Sequence, residues 1–240
     1  MHRLLEAVDL PGGVWLEAGA GHGSIIQATK QVRDDIVWSA YELREECRTA
    51  LEREATAVRI GDCLSMTPGE HTKQLRRVSH LPRYHVCVMN PPFRLAFEFL
   101  QMALQIADYV VMLQRLNYLG SRKRSEFFRQ FHPDIYVLPD RPSFTEGQTD
   151  SIEYCWFVWG PPENRERSVG NYQILARTPV EERKAVTPGS PRLSFETPLE
   201  APILSNYAQA PLEQRTAPLG DIDERYNPLD PEAFDNTEGL

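Results

Sequence analysis

The sequence predicts an α/β fold: a mostly parallel, seven-stranded sheet with helices on both faces and an antiparallel terminal hairpin. Three observations predict it. Apolar runs and amphipathic stretches alternate strictly from residue 14 to residue 114, the pattern of right-handed βαβ units. The tips of the first three runs carry acidic residues, with glycines after the first. In open α/β sheets that edge is where ligands bind. Beyond residue 133, two apolar runs follow with no helix between them, so they pair antiparallel.

The elements follow in order along the chain. "RLLEAVDL" reads as a short helix before Pro11-Gly12-Gly13, and "GVWLEAG" as a short buried strand. The glycines open a helix, "AGHGSIIQATKQVR". "IVWSAYEL" is a second strand, "REECRTALERE" a charged amphipathic helix, and "TAVRIGD" a third strand ending at Asp62. Residues 64–83 are ambiguous, with a helix around 69–80. "RYHVCVMN" is a fourth strand, "RLAFEFLQMALQIA" a helix and "DYVVMLQ" a fifth strand. "SRKRSEFFRQF" reads as a helix, and "DIYVLPD" and "SIEYCWFVWG" as the hairpin. "YQILAR" is a candidate for one more edge strand. In "YCWFVW", alternation puts Tyr154, Trp156 and Val158 on one face, with Cys155, Phe157 and Trp159 on the other.

The 240 residues, 41% of them hydrophobic, suffice for one α/β domain with an appendage. Residues 1–177 carry 21 basic and 22 acidic side chains, whereas residues 178–240 carry 5 and 12. Nine of the 19 prolines also fall in 178–240. The boundary is thus set after residue 177, with a Pro-rich acidic tail, disordered or loosely docked. A near-neutral body leaves nucleic acid open as a partner despite the net charge of −8. No apolar run reaches the ~18 residues of a membrane span, and the N-terminus lacks a signal-peptide core. A cytoplasmic protein is expected. Cys47, Cys63, Cys87 and Cys155 are read as reduced core thiols, and His71, His80 and His85 as surface or loop residues. No metal site is expected.

"LEAGAGHGS" places Glu17, Gly19, Gly21 and Gly23 where strand one meets its helix. Alternate glycines let backbone N–H groups approach a ligand closely. The spacing is G-x-G-x-G rather than the dinucleotide G-x-G-x-x-G, and an acid two residues earlier suits a ligand bearing an amino group. Glu42 ends strand two, 21 residues after Gly21, the place of a ribose-binding carboxylate. Asp62 ends strand three, where it would accept from an adenine amine.

Strand four stops at Asn90-Pro91-Pro92-Phe93. The Asn side-chain oxygen and the Pro91 carbonyl are two acceptors for one planar NH₂ group. Phe93 offers a face for a stacked base, a contact of ~1–3 kcal/mol, and the prolines keep the tip stiff.

Together these residues resemble the S-adenosylmethionine-dependent adenine-N6 DNA methyltransferases, in the class whose cofactor motif precedes the NPPF motif. The likeness covers roughly residues 10–160, and the run from Arg115 to Trp159 resembles phage and prophage proteins of this group. The resemblance implies a Rossmann-like class I methyltransferase fold and S-adenosylmethionine as cofactor. It implies that Glu17, Gly19, Gly21 and Gly23 hold the methionine part, Glu42 the ribose and Asp62 the adenine amine. Asn90 and Pro91 would grip the target amine beside the cofactor, and Pro92 and Phe93 would complete the catalytic tip. The acceptor implied is N6 of a flipped adenine in duplex or single-stranded DNA.

Arg115, Arg122, Lys123, Arg124 and Arg129 lie within fifteen residues and predict phosphate contacts. Arg141 and Phe144 are candidates to clamp the extruded base. No sizeable target-recognition region is visible, so sequence specificity is expected to be minimal, to need a homodimer or to come from a partner. Three alternatives remain open: an RNA adenine acceptor, a protein glutamine amide, and a non-catalytic binding protein that keeps the fold.

Overall fold

The computed structural model describes residues 1–140, 152–165 and 170–177. Its centre is strand β1 (Gly13–Ala18), buried on both faces. Val14, Leu16 and Ala18 enter one apolar layer, and Trp15 enters the other. A strand covered on both sides reads as a continuous apolar run, as this one does.

β1 pairs in parallel with β2 (Ile36–Glu42) and with β4 (Tyr84–Met89). β2 pairs with β3 (Ala57–Ile60), and β4 with β5 (Ala107–Arg115), both in parallel. β7 (Tyr154–Trp159) runs antiparallel between β5 and β6 (Asp134–Val137). The order is β3-β2-β1-β4-β5-β7-β6-β8, the doubly wound, Rossmann-like architecture expected, with its switch point between β1 and β4.

Helices α1 (His2–Ala7), α2 (Ser24–Lys30) and α3 (Arg48–Glu54) give Leu4, Ile26 and Leu51 to the layer containing Trp15 and Trp38. Helices α4 (Pro68–Leu75), α5 (Ala96–Ile106) and α6 (Ser125–Gln130) give Leu75, Phe99, Leu100, Phe127 and Phe128 to the opposite layer. α7 (Pro162–Arg165) is one short turn. The β7 side chains alternate between the two layers as expected. All four cysteines are buried and free. No described helix is long and apolar enough to cross a membrane.

The structure corrects three expectations. The sheet has eight strands rather than seven, because β8 (Tyr172–Ile174) adds to β6 in parallel. Asp134 Oδ1 fixes that entry by accepting from the backbone N–H and side-chain Nδ2 of Asn171, at 2.7 and 3.0 Å. The basic stretch is broken, with a 3₁₀ turn at Arg122–Arg124 ahead of α6. Of the three histidines read as surface or loop residues, only His80 is exposed. His71 is buried in α4, 3.3 Å from the Tyr41 hydroxyl. His85 Nδ1 accepts the Val14 N–H at 2.9 Å. Each of the two serves a polar group that its strand leaves over.

Candidate active site

Parallel pairing brings the tips of β1, β2, β3 and β4 to one edge of the sheet. Ala18 lies opposite both Tyr41 and Met89. The glycine turn after β1 is therefore flanked by Glu42 on one side and by Asn90 on the other. Glu42 lies opposite Ile60, which brings Asp62 to the same edge. All the expected cofactor-binding positions thus converge with the Asn-Pro-Pro-Phe tip.

The turn itself is built from backbone. The N–H groups of Gly19 and Ala20 both donate to the Tyr41 carbonyl at 2.9 Å. Gly19, Gly21 and Gly23 have φ of +71°, +55° and +77°, a left-handed path that side chains resist. At Gly23 a Cβ would also meet Leu51 of α3 at 3.3 Å.

Glu17 braces the turn from beneath. It is only 3% exposed, and its Oε2 accepts the Ile26 N–H at 3.2 Å, in the first turn of α2. Burial raises its pKa to about 8, against the pull of the backbone bonds from Ile26 and Ile25. Desolvation thus favours the protonated acid here.

Glu42 is buried and already engaged. Its Oε2 accepts the Gly21 N–H at 2.6 Å, and its Oε1 accepts from both the backbone N–H and Nε of Arg44, at 3.0 and 2.9 Å. Arg44 therefore lies across the turn, with its Nη2 3.5 Å from where a Gly21 Cβ would stand. Its side chain is 41% exposed, which leaves it room to move. Asp62 uses Oδ1 to accept the Leu64 N–H at 2.9 Å, while its Oδ2 has no hydrogen bond among the described residues. The left-handed turn and an acid with an unused oxygen fit an adenosine-type ligand with polar edges. Glu42 would have to share its lone pairs with such a ligand or release Arg44.

At the fourth tip, Asn90 is half-buried and its side chain makes no hydrogen bond among the described residues. Pro91 is buried and Pro92 exposed. Phe93 is 46% exposed, a large apolar ring at a surface that would ordinarily hide it. The Arg115 guanidinium covers one face of that ring at 4.1 Å from its centre, and Tyr154 lies 6.4 Å away at a tilt.

Beside Phe93 opens a pocket of about 270 Å³, which Gln114, Arg115, Asn117, Tyr118 and Arg124 also line. That is just under the ~300–1,000 Å³ usual for small-molecule sites. Arg124 is built into the wall, stacked over Tyr118 at 4.1 Å and donating Nη2 to the Tyr118 carbonyl at 2.8 Å. Arg122 and Lys123 are exposed on the rim side of the same turn. Arg141 and Phe144 lie outside the described residues.

Sequence reasoning missed Gln114, Asn117 and Glu98. Gln114 Nε2, Tyr118 OH and Glu98 Oε2 are buried with no hydrogen-bond partner among the described residues. Glu98 on α5 feels Arg124, while burial raises its pKa. A glutamine ending an apolar strand is the only hint that the sequence offers. Among the described residues, no group of His, Cys, Asp or Glu could hold a metal ion.

No family model and no curated protein matches the sequence. Solved structures do resemble this one. A candidate RNA methyltransferase from Pyrococcus horikoshii is 18% identical, with 66% of this chain and 77% of that one covered and a TM-score of 0.46. A predicted O-methyltransferase from Agrobacterium tumefaciens is 15% identical, with 75% and 88% covered and a TM-score of 0.48. A precorrin-6y C5,15-methyltransferase from Geobacter metallireducens is 14% identical, with 66% and 85% covered and a TM-score of 0.44. At these identities and overlaps the likeness says nothing about an acceptor.

Proposed function

We propose that this chain is an S-adenosylmethionine-dependent methyltransferase that acts on N6 of adenine in DNA. One observation carries the reading. An asparagine whose side chain is unbonded among the described residues, two prolines and an exposed phenyl ring stand side by side with a glycine turn at the switch point of the sheet.

The bound cofactor supplies an electrophilic methyl group on a sulfonium. The glycine turn, held from beneath by Glu17, and the acids Glu42 and Asp62 bind its amino acid, ribose and adenine. Asn90 Oδ1 and the Pro91 carbonyl accept the two N6 hydrogens and turn the nitrogen lone pair toward that methyl. Held by Asn90 and Pro91, N6 would take that methyl from the sulfur, which would leave as the neutral thioether, and would then give a proton to solvent. Such a reaction needs positioning and electrostatics, with no covalent enzyme intermediate.

Phe93 stacks on the flipped base. The Arg115 guanidinium now lying on that ring is itself a planar π system, so an entering base replaces like with like. Arg115 is then released toward a phosphate, beside Arg122 and Lys123.

Nucleoside mass spectrometry of DNA from expressing cells tests this. N6-methyladenine should appear with the wild type and vanish with Asn90→Ala. Methylated adenine found only in RNA would keep the chemistry and reassign the polymer. A purified protein that binds S-adenosylmethionine but yields no methylated product in DNA, RNA or protein would refute the reading.

A further inference from the structure

The pocket beside Phe93 holds an amide whose orientation is fixed. Gln114 is 2% exposed, and its Oε1 accepts the backbone N–H of Arg115 at 3.1 Å. Turning the amide over would set its NH₂ against that N–H, donor against donor. The NH₂ end therefore faces away, and Nε2 has no partner among the described residues. A buried donor left bare is unfavourable, so this one is set to take an acceptor. Gln114 is also one of the residues that line the pocket.

The strand register sets this amide beside the proposed amine-binding tip. β4 and β5 run parallel with Met89 opposite Met112. Pro91 and Gln114 each lie two residues beyond that pair, at the same end of the two adjacent strands. Tyr118 forms the adjoining wall, 7% exposed, with its ring held under Arg124.

We propose that Gln114 selects the acceptor by donating Nε2–H to the unprotonated ring nitrogen next to the amine, N1 of adenine. This rests on the reading of Asn90 and Pro91 given above and extends it from an amine to a particular ring edge. The two grips are complementary: Asn90 and Pro91 require a donor NH₂, and Gln114 requires an acceptor directly beside it. Adenine satisfies both, and so does cytosine through N3. Guanine fails at position 6, where O6 accepts and N1 carries a hydrogen; its N2 amine has an acceptor beside it, N3, only on the sugar side, away from the Watson–Crick edge. Gln114 is thus a specificity-determining residue, and the Watson–Crick edge is the one that a flipped base presents to it.

The test uses the full-length protein and single-stranded oligonucleotides of random sequence around one central base. That base is adenine, 1-deazaadenine, in which N1 is replaced by CH, or 7-deazaadenine. The wild type should methylate 7-deazaadenine within about twofold of adenine and 1-deazaadenine about tenfold or more slowly, as expected when a buried donor loses its acceptor. Gln114→Met keeps the shape and lacks the donor. It should slow adenine by a similar factor and lose the preference for adenine over 1-deazaadenine.

Equal wild-type rates on adenine and 1-deazaadenine would overturn the role of Gln114 and leave the methyltransferase reading standing. A preference that survives in Gln114→Met would do the same, since it would belong to the base rather than to the residue. Methylation of none of the three by the wild type would overturn both. The wild-type comparison needs no variant, so a Gln114→Met protein that fails to fold leaves the test intact.

Discussion

At Gly13, one missing side chain decides how β1 begins. Its φ is +93°, and a Cβ there would meet the His85 ring at 2.6 Å. That ring accepts the Val14 N–H at 2.9 Å. The sequence marks Gly12-Gly13 only as a turn, because nothing in it shows that a histidine 72 positions later closes over the second glycine. Gly13→Ala would force a side chain into a left-handed path, at ~1–2 kcal/mol, and push His85 off its donor, at ~1 kcal/mol. We expect a total loss of about 2–3 kcal/mol in urea unfolding. Gly160 has open space around it, so Gly160→Ala is the control and should stay within ~0.5 kcal/mol. Equal effects at the two sites would refute the account. The glycines after β1 were more legible, because their spacing at a strand end carries its own meaning, whereas Gly13 depends on a contact made across the sheet.

Helix α4 shows why an element can hide from pattern reading. Its start is well marked, with Pro68 in the first turn and a capping box between Thr67 and Glu70. Its buried face, however, is His71, Gln74 and Leu75. Only one of the three is apolar, so no helical period emerges. The polar face is buried because His71 meets the Tyr41 hydroxyl, which in turn meets the Tyr84 hydroxyl at 3.2 Å. Burial lowers the His71 pKa to about 4, with Arg59 adding to the effect and Glu70 opposing it. The unfolded chain would take up that proton near pH 6.5. Between about pH 6.5 and 4 the unfolded state then binds more protons than the folded one. Stability is therefore full above that window and falls as the pH drops through it, by at most ~3 kcal/mol. His71→Gln removes the titrating group. The stability gap between wild type and variant should narrow as urea titrations move from pH 7 to pH 4. A gap that stays constant would show that His71 titrates normally.

At the scale of the whole molecule, the parallel sheet was legible because strands such as β1 and β4 are buried on both faces and read as unbroken apolar runs; the strand order was not. The end of β4 at Asn90 was legible for a different reason: two successive prolines, lacking backbone N–H groups, stop a strand. The pocket beside Phe93 was not, since the sequence shows Gln114 but not that its oxygen is already taken. Charge is the property that spans every scale. The net charge of −8 becomes −1 if the chain ends at residue 177, because residues 178–240 carry 5 basic and 12 acidic side chains. The buried residues described in both apolar layers all precede residue 178. A chain ending there should unfold cooperatively, with a midpoint close to that of the full chain. Removing seven net negative charges should also tighten binding of single-stranded DNA at low salt, and the gain should shrink as salt screens the repulsion. Circular dichroism melts and fluorescence anisotropy across a salt series would measure both. A truncated chain that melts early would show that residues 178–240 belong to the folded body. Unchanged affinity at every salt concentration would show that their charge lies too far from the proposed DNA-binding face to matter.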